Sequence, residues 1–189
     1  MKKHRSSRFV PLFTAAYLAG LLLMGVSQQG LAQANGKVLT QKSTFSMYCY
    51  WQGEATLGTQ PGVLSTKIGH QGFSEIVEVE YNPAVTDVAI LVKALKNKNS
   101  FYSVIVSSKD EMEKVQASVK KSDIKYTRSK PRFIESKYSL RTQYPELYAL
   151  DLSEPQLNAL NSWAYYGGAM PDVLTDEQVE RLKQQAEKK

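Results

Sequence analysis

The chain has one cysteine, Cys49, and two histidines, His4 and His70, in 189 residues. A single cysteine excludes an intramolecular disulfide framework. So few thiolate and imidazole ligands also exclude an ordinary zinc site. No Gly-x-Ser-x-Gly elbow occurs, so a serine triad built on His70 has no support. Acidic residues are absent before Glu54, and the net charge of +6 owes much to Lys2, Lys3, Arg5 and Arg8. Without those four, 20 basic residues face 18 acidic ones. A balance that close lacks the electrostatic footprint of a nucleic-acid binder. With 42% apolar residues, the composition is globular, neither collagen-like nor that of a long disordered chain.

Long hydrophobic runs are also missing, save one at the N-terminus. The basic stretch from Lys2 to Arg8 precedes an apolar run over residues 9–26, and Ala32-Gln33-Ala34 supplies a small-x-small pattern before Asn35. That layout predicts a secretory signal peptide over residues 1–34 and a secreted or periplasmic protein. An uncleaved membrane anchor is the alternative, because the run is of marginal spanning length. Membrane association is expected only if that segment is retained. The remaining residues have the length of one domain, read as a core over residues 35–150 and a C-terminal helical extension of the same domain over residues 151–189.

Periodicity gives the elements. Residues 43–47 read as a strand running into Cys49, residues 50–58 as a helix closed by Pro61-Gly62, and residues 63–68 as a strand broken by Gly69 and Gly72. Residues 75–81 alternate, with Val77, Val79 and Tyr81 on one face and Glu78 and Glu80 on the other. Val88, Leu91, Val92 and Leu95 recur at helical spacing, and residues 102–106 are strand-like. Ser108-x-x-Glu111, Ser153-x-x-Gln156 and Thr175-x-x-Gln178 are capping boxes before helical patterns. Residues 124–133 are basic and mixed, with no clear period. The order predicts an α+β fold, a ferredoxin-like two-layer sandwich with a β-α-β-β-α-β core and a C-terminal helical extension.

A lone thiol in an exported protein is unusual, since thiols in oxidising compartments are mostly paired. Cys49 is read either as a small buried hydrophobe or as a reactive group. Its position at a strand-to-helix junction, where helix N–H groups stabilise a thiolate, favours the second reading. Tyr50 and Trp51 follow at once and could wall an apolar pocket over the sulfur.

These residues resemble a known family. Tyr48-Cys49-Tyr50-Trp51-Gln52-Gly53-Glu54 is similar to the Gly-Cys-Phe-Trp-Gly-x-Glu signature of A-type peptide methionine sulfoxide reductases. Pro61-Gly62-Val63-Leu64-Ser65-Thr66-Lys67-Ile68-Gly69 resembles its Pro-Gly-Val-x-Ser-Thr-x-x-Gly segment. Gly72-Phe73-Ser74-Glu75 stands where the family has Gly-His-x-Glu, and residues 77–85 resemble its Val-x-Val-x-Tyr/Phe-Asp-Pro-x-Val strand and turn. The likeness is good over residues 47–94 and weak to residue 144.

The resemblance implies reduction of the S epimer of peptide-bound methionine sulfoxide through a cysteine sulfenic acid. Cys49 matches the nucleophile and Glu75 the proton donor. Tyr50 and Trp51 match the aromatic pair that holds the substrate methyl group. No bound cofactor or metal is implied. Recycling would need an external thiol, small or thioredoxin-like, and the partners would be oxidised proteins or peptides. The family's flanking glycines are Tyr48 and Gln52 here, and its histidine is Phe73. Its loop tyrosine, which helps bind the sulfoxide oxygen, has no counterpart in the short stretch between Gly69 and Gly72. His70 stands as a substitute, and Tyr102 as a surviving hydroxyl donor or a plain strand aromatic. Tyr165-Tyr166-Gly167-Gly168 falls where some relatives carry a C-terminal resolving cysteine. Glu75 has a second reading as a strand carboxylate. The whole chain also has two: a degenerate, inactive binding member, or an envelope protein whose Lys120 to Arg132 stretch meets acidic polymers.

Overall fold

The computed structural model describes residues 39–187. The segments that predict a signal peptide over residues 1–34 lie outside them. The first six elements are β1 (Gln41–Met47), α1 (Tyr50–Leu57), β2 (Val63–Gln71), β3 (Ser74–Tyr81), α2 (Val88–Asn97) and β4 (Phe101–Val106). They follow the expected β-α-β-β-α-β order. The strands lie side by side as β4-β1-β3-β2, each neighbour antiparallel, which is the ferredoxin-like arrangement.

Alternation along β3 decides which face is covered. Val77, Val79 and Tyr81 are buried with Phe45 of β1, Ile68 of β2 and Val104 of β4, against Leu91 and Leu95 of α2. Burying side chains of this size stabilises by roughly 1.5–3 kcal/mol each. The α2 helix starts where Asp87 accepts the Ile90 N–H at 2.9 Å, so its cap and its apolar stripe agree.

Residues 124–133, without clear period in the sequence, form strands at the two edges of the sheet. A short 3-10 turn, Lys121–Asp123, leads into β5 (Ile124–Tyr126), which pairs in parallel with β4. Then β6 (Arg132–Phe133) pairs antiparallel with β2, giving the order β5-β4-β1-β3-β2-β6. The expectation that Gly69 breaks its strand is corrected by this pairing. β2 runs on to Gln71, and Gly69 sits inside it, opposite Phe133. A Cβ there would collide with the Arg132 carbonyl. Glycine at this position permits close approach of the two backbones.

α3 (Lys109–Gln116) begins at Ser108, whose Oγ accepts the Glu111 N–H. Glu111 Oε2 in turn accepts the N–H of Ser107 at 2.6 Å. The chain ends in four helices, α4 (Tyr138–Gln143), α5 (Pro145–Tyr148), α6 (Glu154–Tyr166) and α7 (Asp176–Glu187). They enclose a second apolar cluster of Leu140, Leu147, Leu150, Leu160 and Ala164. α6 and α7 start at Ser153 and Thr175, as the capping signals predict. Among the described residues, no helix is long and apolar enough to cross a membrane.

Candidate active site

β1 delivers Cys49 to the start of α1. Cys49 is the N-cap of that helix, half-buried, with an extended backbone (φ −137°, ψ 113°) and no side-chain bond to a helix N–H. The first N–H groups of a helix have no partner inside it. Here the one on Tyr50 is taken by Glu75, whose Oε2 accepts it at 2.8 Å. Glu75 lies in β3 with Met47 and His70 as its cross-strand partners. It shares parity with the buried Val77 and Val79, which directs it to the helix-covered side of the sheet. The two matched segments, 25 residues apart in the chain, therefore meet at the N-terminus of α1.

An aromatic group surrounds this junction. The Tyr50 ring meets Trp51 edge-on at 5.6 Å and His70 edge-on at 5.3 Å. Trp51 stacks on Tyr138 of α4 with centroids 4.2 Å apart and planes 9° from parallel. Its Nε1 is buried without a hydrogen-bond partner. Burial, and then the neighbouring Glu75, Cys49 and Tyr138, hold the Tyr50 phenol above its ordinary value.

At the end of α6, burial first, then Cys49 and Tyr166, push the Tyr165 phenol up. The hydroxyl of Tyr166 is 2.6 Å from Thr56 Oγ1 of α1. Burial raises its phenol against the lowering effect of that bond.

Below the aromatics lies a buried polar seam. Glu54 of α1 is 1% exposed and Lys137, just before α4, is 3% exposed. Glu54 accepts the Lys137 backbone N–H at 2.8 Å and its Nζ at 3.2 Å. Lys137 Nζ also reaches Thr66 Oγ1 at 2.6 Å. Asn161 Nδ2 of α6 donates to Glu54 at 3.5 Å, while Thr66 Oγ1 donates to Asn158 Oδ1 at 3.3 Å. Lys137 adopts a left-handed backbone conformation (φ +60°), which costs a non-glycine residue about 1–2 kcal/mol.

Of the residues predicted from sequence, the structure gathers Cys49, Tyr50, Trp51, His70 and Glu75. Tyr102 stays apart. It stands 62% exposed at the irregularity between Ser46 and Met47, where β1 pairs with Phe101 and Ser103 on either side of it. The stacking of Tyr138 on Trp51 was not foreseen. Among the described residues, no three His, Cys, Asp or Glu side chains are grouped to hold a metal ion. A cavity of about 390 Å³, lined in part by Lys42, Glu78, Glu111 and Arg128, is not lined by any of the five gathered residues.

Comparison with known proteins finds no matching family model. The chain is similar to the peptide methionine sulfoxide reductase MsrA of Mycolicibacterium paratuberculosis, at 36% identity over 61 residues. That match takes in 25% of this chain and 36% of the relative, so the chain spans about a third of the length of the curated relative it matches. The similarity is partial, and it is to an oxidoreductase.

Proposed function

We propose that the protein is a single-cysteine reductase of peptide-bound methionine sulfoxide, acting on the S epimer. Cys49 attacks the sulfoxide sulfur as a thiolate. Glu75 protonates the oxygen, which would otherwise be a poor leaving group. The sulfoxide sulfur is reduced to methionine and the oxygen remains on Cys49 as a sulfenic acid. An external thiol then forms a mixed disulfide with Cys49, releasing water, and a second thiol frees the enzyme. Tyr50 and Trp51 offer an apolar wall to the substrate methyl group. Export by the N-terminal segment is part of this reading, and so are a small or thioredoxin-like reductant and oxidised proteins as substrates.

One observation carries the reading: Glu75 is bonded to the helix N-terminus that Cys49 caps, with the Tyr50–Trp51 pair in the same turn. A helix cap alone requires no acid beside a cysteine, and a buried structural cysteine requires no acid at all. The partial similarity to MsrA supports the same chemistry.

The test is a single turnover of the purified protein with each sulfoxide epimer, in the presence of a sulfenic-acid trap read by mass spectrometry. One methionine and one trapped Cys49 per chain are expected with the S epimer. Cys49→Ser, nearly isosteric but barely ionised at neutral pH, is expected to abolish both. No adduct from the wild type with either epimer would leave the inactive binding member as the reading.

A further inference from the structure

We propose that Arg132 is a carboxylate-binding residue of this site, so that the preferred sulfoxides carry a carboxylate beside the reacting side chain. That carboxylate is either the α-carboxylate of a C-terminal methionine sulfoxide or an acidic side chain next to it. The inference rests on the reductase reading above and narrows its substrate class.

The sheet places Arg132 by register. Met47 of β1 lies opposite Glu75 of β3, Glu75 opposite His70 of β2, and His70 opposite Arg132 of β6. Residues directly opposite each other in antiparallel strands share a face. This is the helix-covered face, since the His70 ring meets Tyr50 of α1 edge-on at 5.3 Å and Glu75 accepts the Tyr50 N–H. Phe133, the next residue, takes the other face, where Lys67 Nζ lies 5.8 Å from the centre of its ring. Arg132 thus ends a row that starts beside Cys49 and passes through the acid. Two strand spacings separate its backbone from that of Glu75, about 10 Å.

A cation on an edge strand can serve only to keep other strands away. Here the face and the lack of a partner go further. Arg132 is exposed, and among the described residues it stands in no ion pair. The guanidinium of Arg141, near the aromatic group from the helix side, lies 5.7 Å from the centre of the Tyr138 ring and is already held by Glu135 at 3.3 Å. Arg132 is left to take an acid from outside. In methionine sulfoxide three carbons separate the sulfur from the carboxyl carbon. With the sulfur at Cys49 and its oxygen at Glu75, a substrate backbone laid along the row reaches the span between His70 and Arg132. Its α-carboxylate, or the side chain of the following residue, comes to the guanidinium there. That planar fork matches a carboxylate through two parallel hydrogen bonds.

Arg132→Gln removes the charge at an exposed position and leaves Cys49, Glu75 and the aromatic group in place. Wild type and variant are compared by kcat/KM on two substrate pairs. The first is N-acetylmethionine S-sulfoxide and its amide. The second is an acetylated, amidated dipeptide of methionine S-sulfoxide followed by glutamate or by glutamine. The wild type is expected to favour a carboxylate over its neutral partner about fivefold, through KM, the upper range for an exposed ion pair. The variant should treat both members of a pair alike. A preference in the first pair names the α-carboxylate as the source, and one in the second names the acidic neighbour. No preference in the wild type overturns the proposal, and so does a preference that survives in the variant. Equal losses on all four substrates with a lowered thermal midpoint also overturn it, and make Arg132 a guard of the sheet edge. A second measurement does not depend on turnover: the rate of Cys49 alkylation by iodoacetate relative to iodoacetamide at one pH. That ratio should fall about fivefold in the variant, as the anionic reagent loses its cation. If the wild type reduces no sulfoxide, the reductase reading falls by itself. An unchanged alkylation ratio then overturns the carboxylate site as well, and a lowered one sustains it.

Discussion

In the sandwich, Phe45, Ile68, Val77 and Val79 pack on Leu91 and Leu95 through apolar side chains. The C-terminal helices meet that sandwich differently, with Glu54, Thr66, Lys137, Asn158 and Asn161 at the seam between them. Apolar burial is strong but non-directional. A helix attached only by an apolar stripe can settle in several nearby positions at similar cost. A buried network of named donors and acceptors accepts one arrangement, because any other leaves polar groups unsatisfied in a low-dielectric interior. The arrangement matters here because Lys137 precedes Tyr138, which stacks on Trp51, and Asn161 lies on the helix that ends at Tyr166, bonded to Thr56 of α1. The sandwich supplies Cys49 and Glu75. The helices supply Tyr138, stacked on Trp51, and a polar seam sets where they sit.

The division of labour is broken most sharply at Glu75. Removing a positioned general acid costs ~10²–10⁴-fold in rate, but Glu75 also accepts the Tyr50 N–H. Glu75→Ala removes both functions and is expected to lower stability by about 0.5–2 kcal/mol, the range for a lost cap. Glu75→Gln keeps a carbonyl oxygen for the Tyr50 N–H and loses only the proton to be donated. The glutamine variant should therefore unfold at the wild-type temperature while reducing S sulfoxide far more slowly. If its rate stays within twofold of wild type, Glu75 serves the helix and not the reaction.

The seam is tested at Lys137. Lys137→Met keeps the length of the side chain but leaves Glu54 buried without its cation. Breaking a buried pair from one side costs ~3–5 kcal/mol, measured as a lower urea midpoint. The double variant Glu54→Leu, Lys137→Met should recover part of that loss, since no charge is then stranded. Recovered stability without recovered reduction would show that the seam fixes position as well as strength. A single-variant loss under about 1 kcal/mol would mean that the second apolar cluster holds the helices by itself.

These two variants also mark where the sequence was legible. Glu75 could be assigned to the covered face because β3 alternates cleanly, and a period of two leaves no freedom about which side a residue takes. The ferredoxin-like order followed from periodic segments separated by glycine, proline and capping residues. The edge strands were not legible. β5 and β6 are three and two residues long, and such short pieces are strands only because β4 and β2 offer free edges to them. Gly69 was read through its usual role as a breaker, whereas its neighbour across the sheet, 64 residues later, decided its use. The seam was hidden for a plainer reason. Buried Glu and Lys contradict the general preference of charged residues for the surface, and their pairing joins positions 83 residues apart.

The smallest expected effect sharpens the comparison within the C-terminal region itself. α6 carries Asn158 and Asn161 to the seam, while no residue of α7 is buried. The starts of the two helices are nonetheless stitched together. Gln178 accepts the Thr175 N–H at 2.9 Å, donates to the Asp151 carbonyl at 2.7 Å and accepts from Gln156 at 2.8 Å. Gln178→Ala removes these bonds together with the one Gln178 donates to Gln156 Oε1, each at least partly open to water, so the loss should be that of a helix cap, ~1 kcal/mol. In a domain of this size that is a fall of about 2–4 °C in thermal midpoint. Reduction of S sulfoxide should stay within twofold of wild type, because the seam and the Tyr166–Thr56 bond still hold α6 at its far end. A loss of turnover as large as that of Glu75→Gln would place α7 among the supports of the site. The boundary between the part that serves the site and the part that only stabilises it would then lie beyond α6.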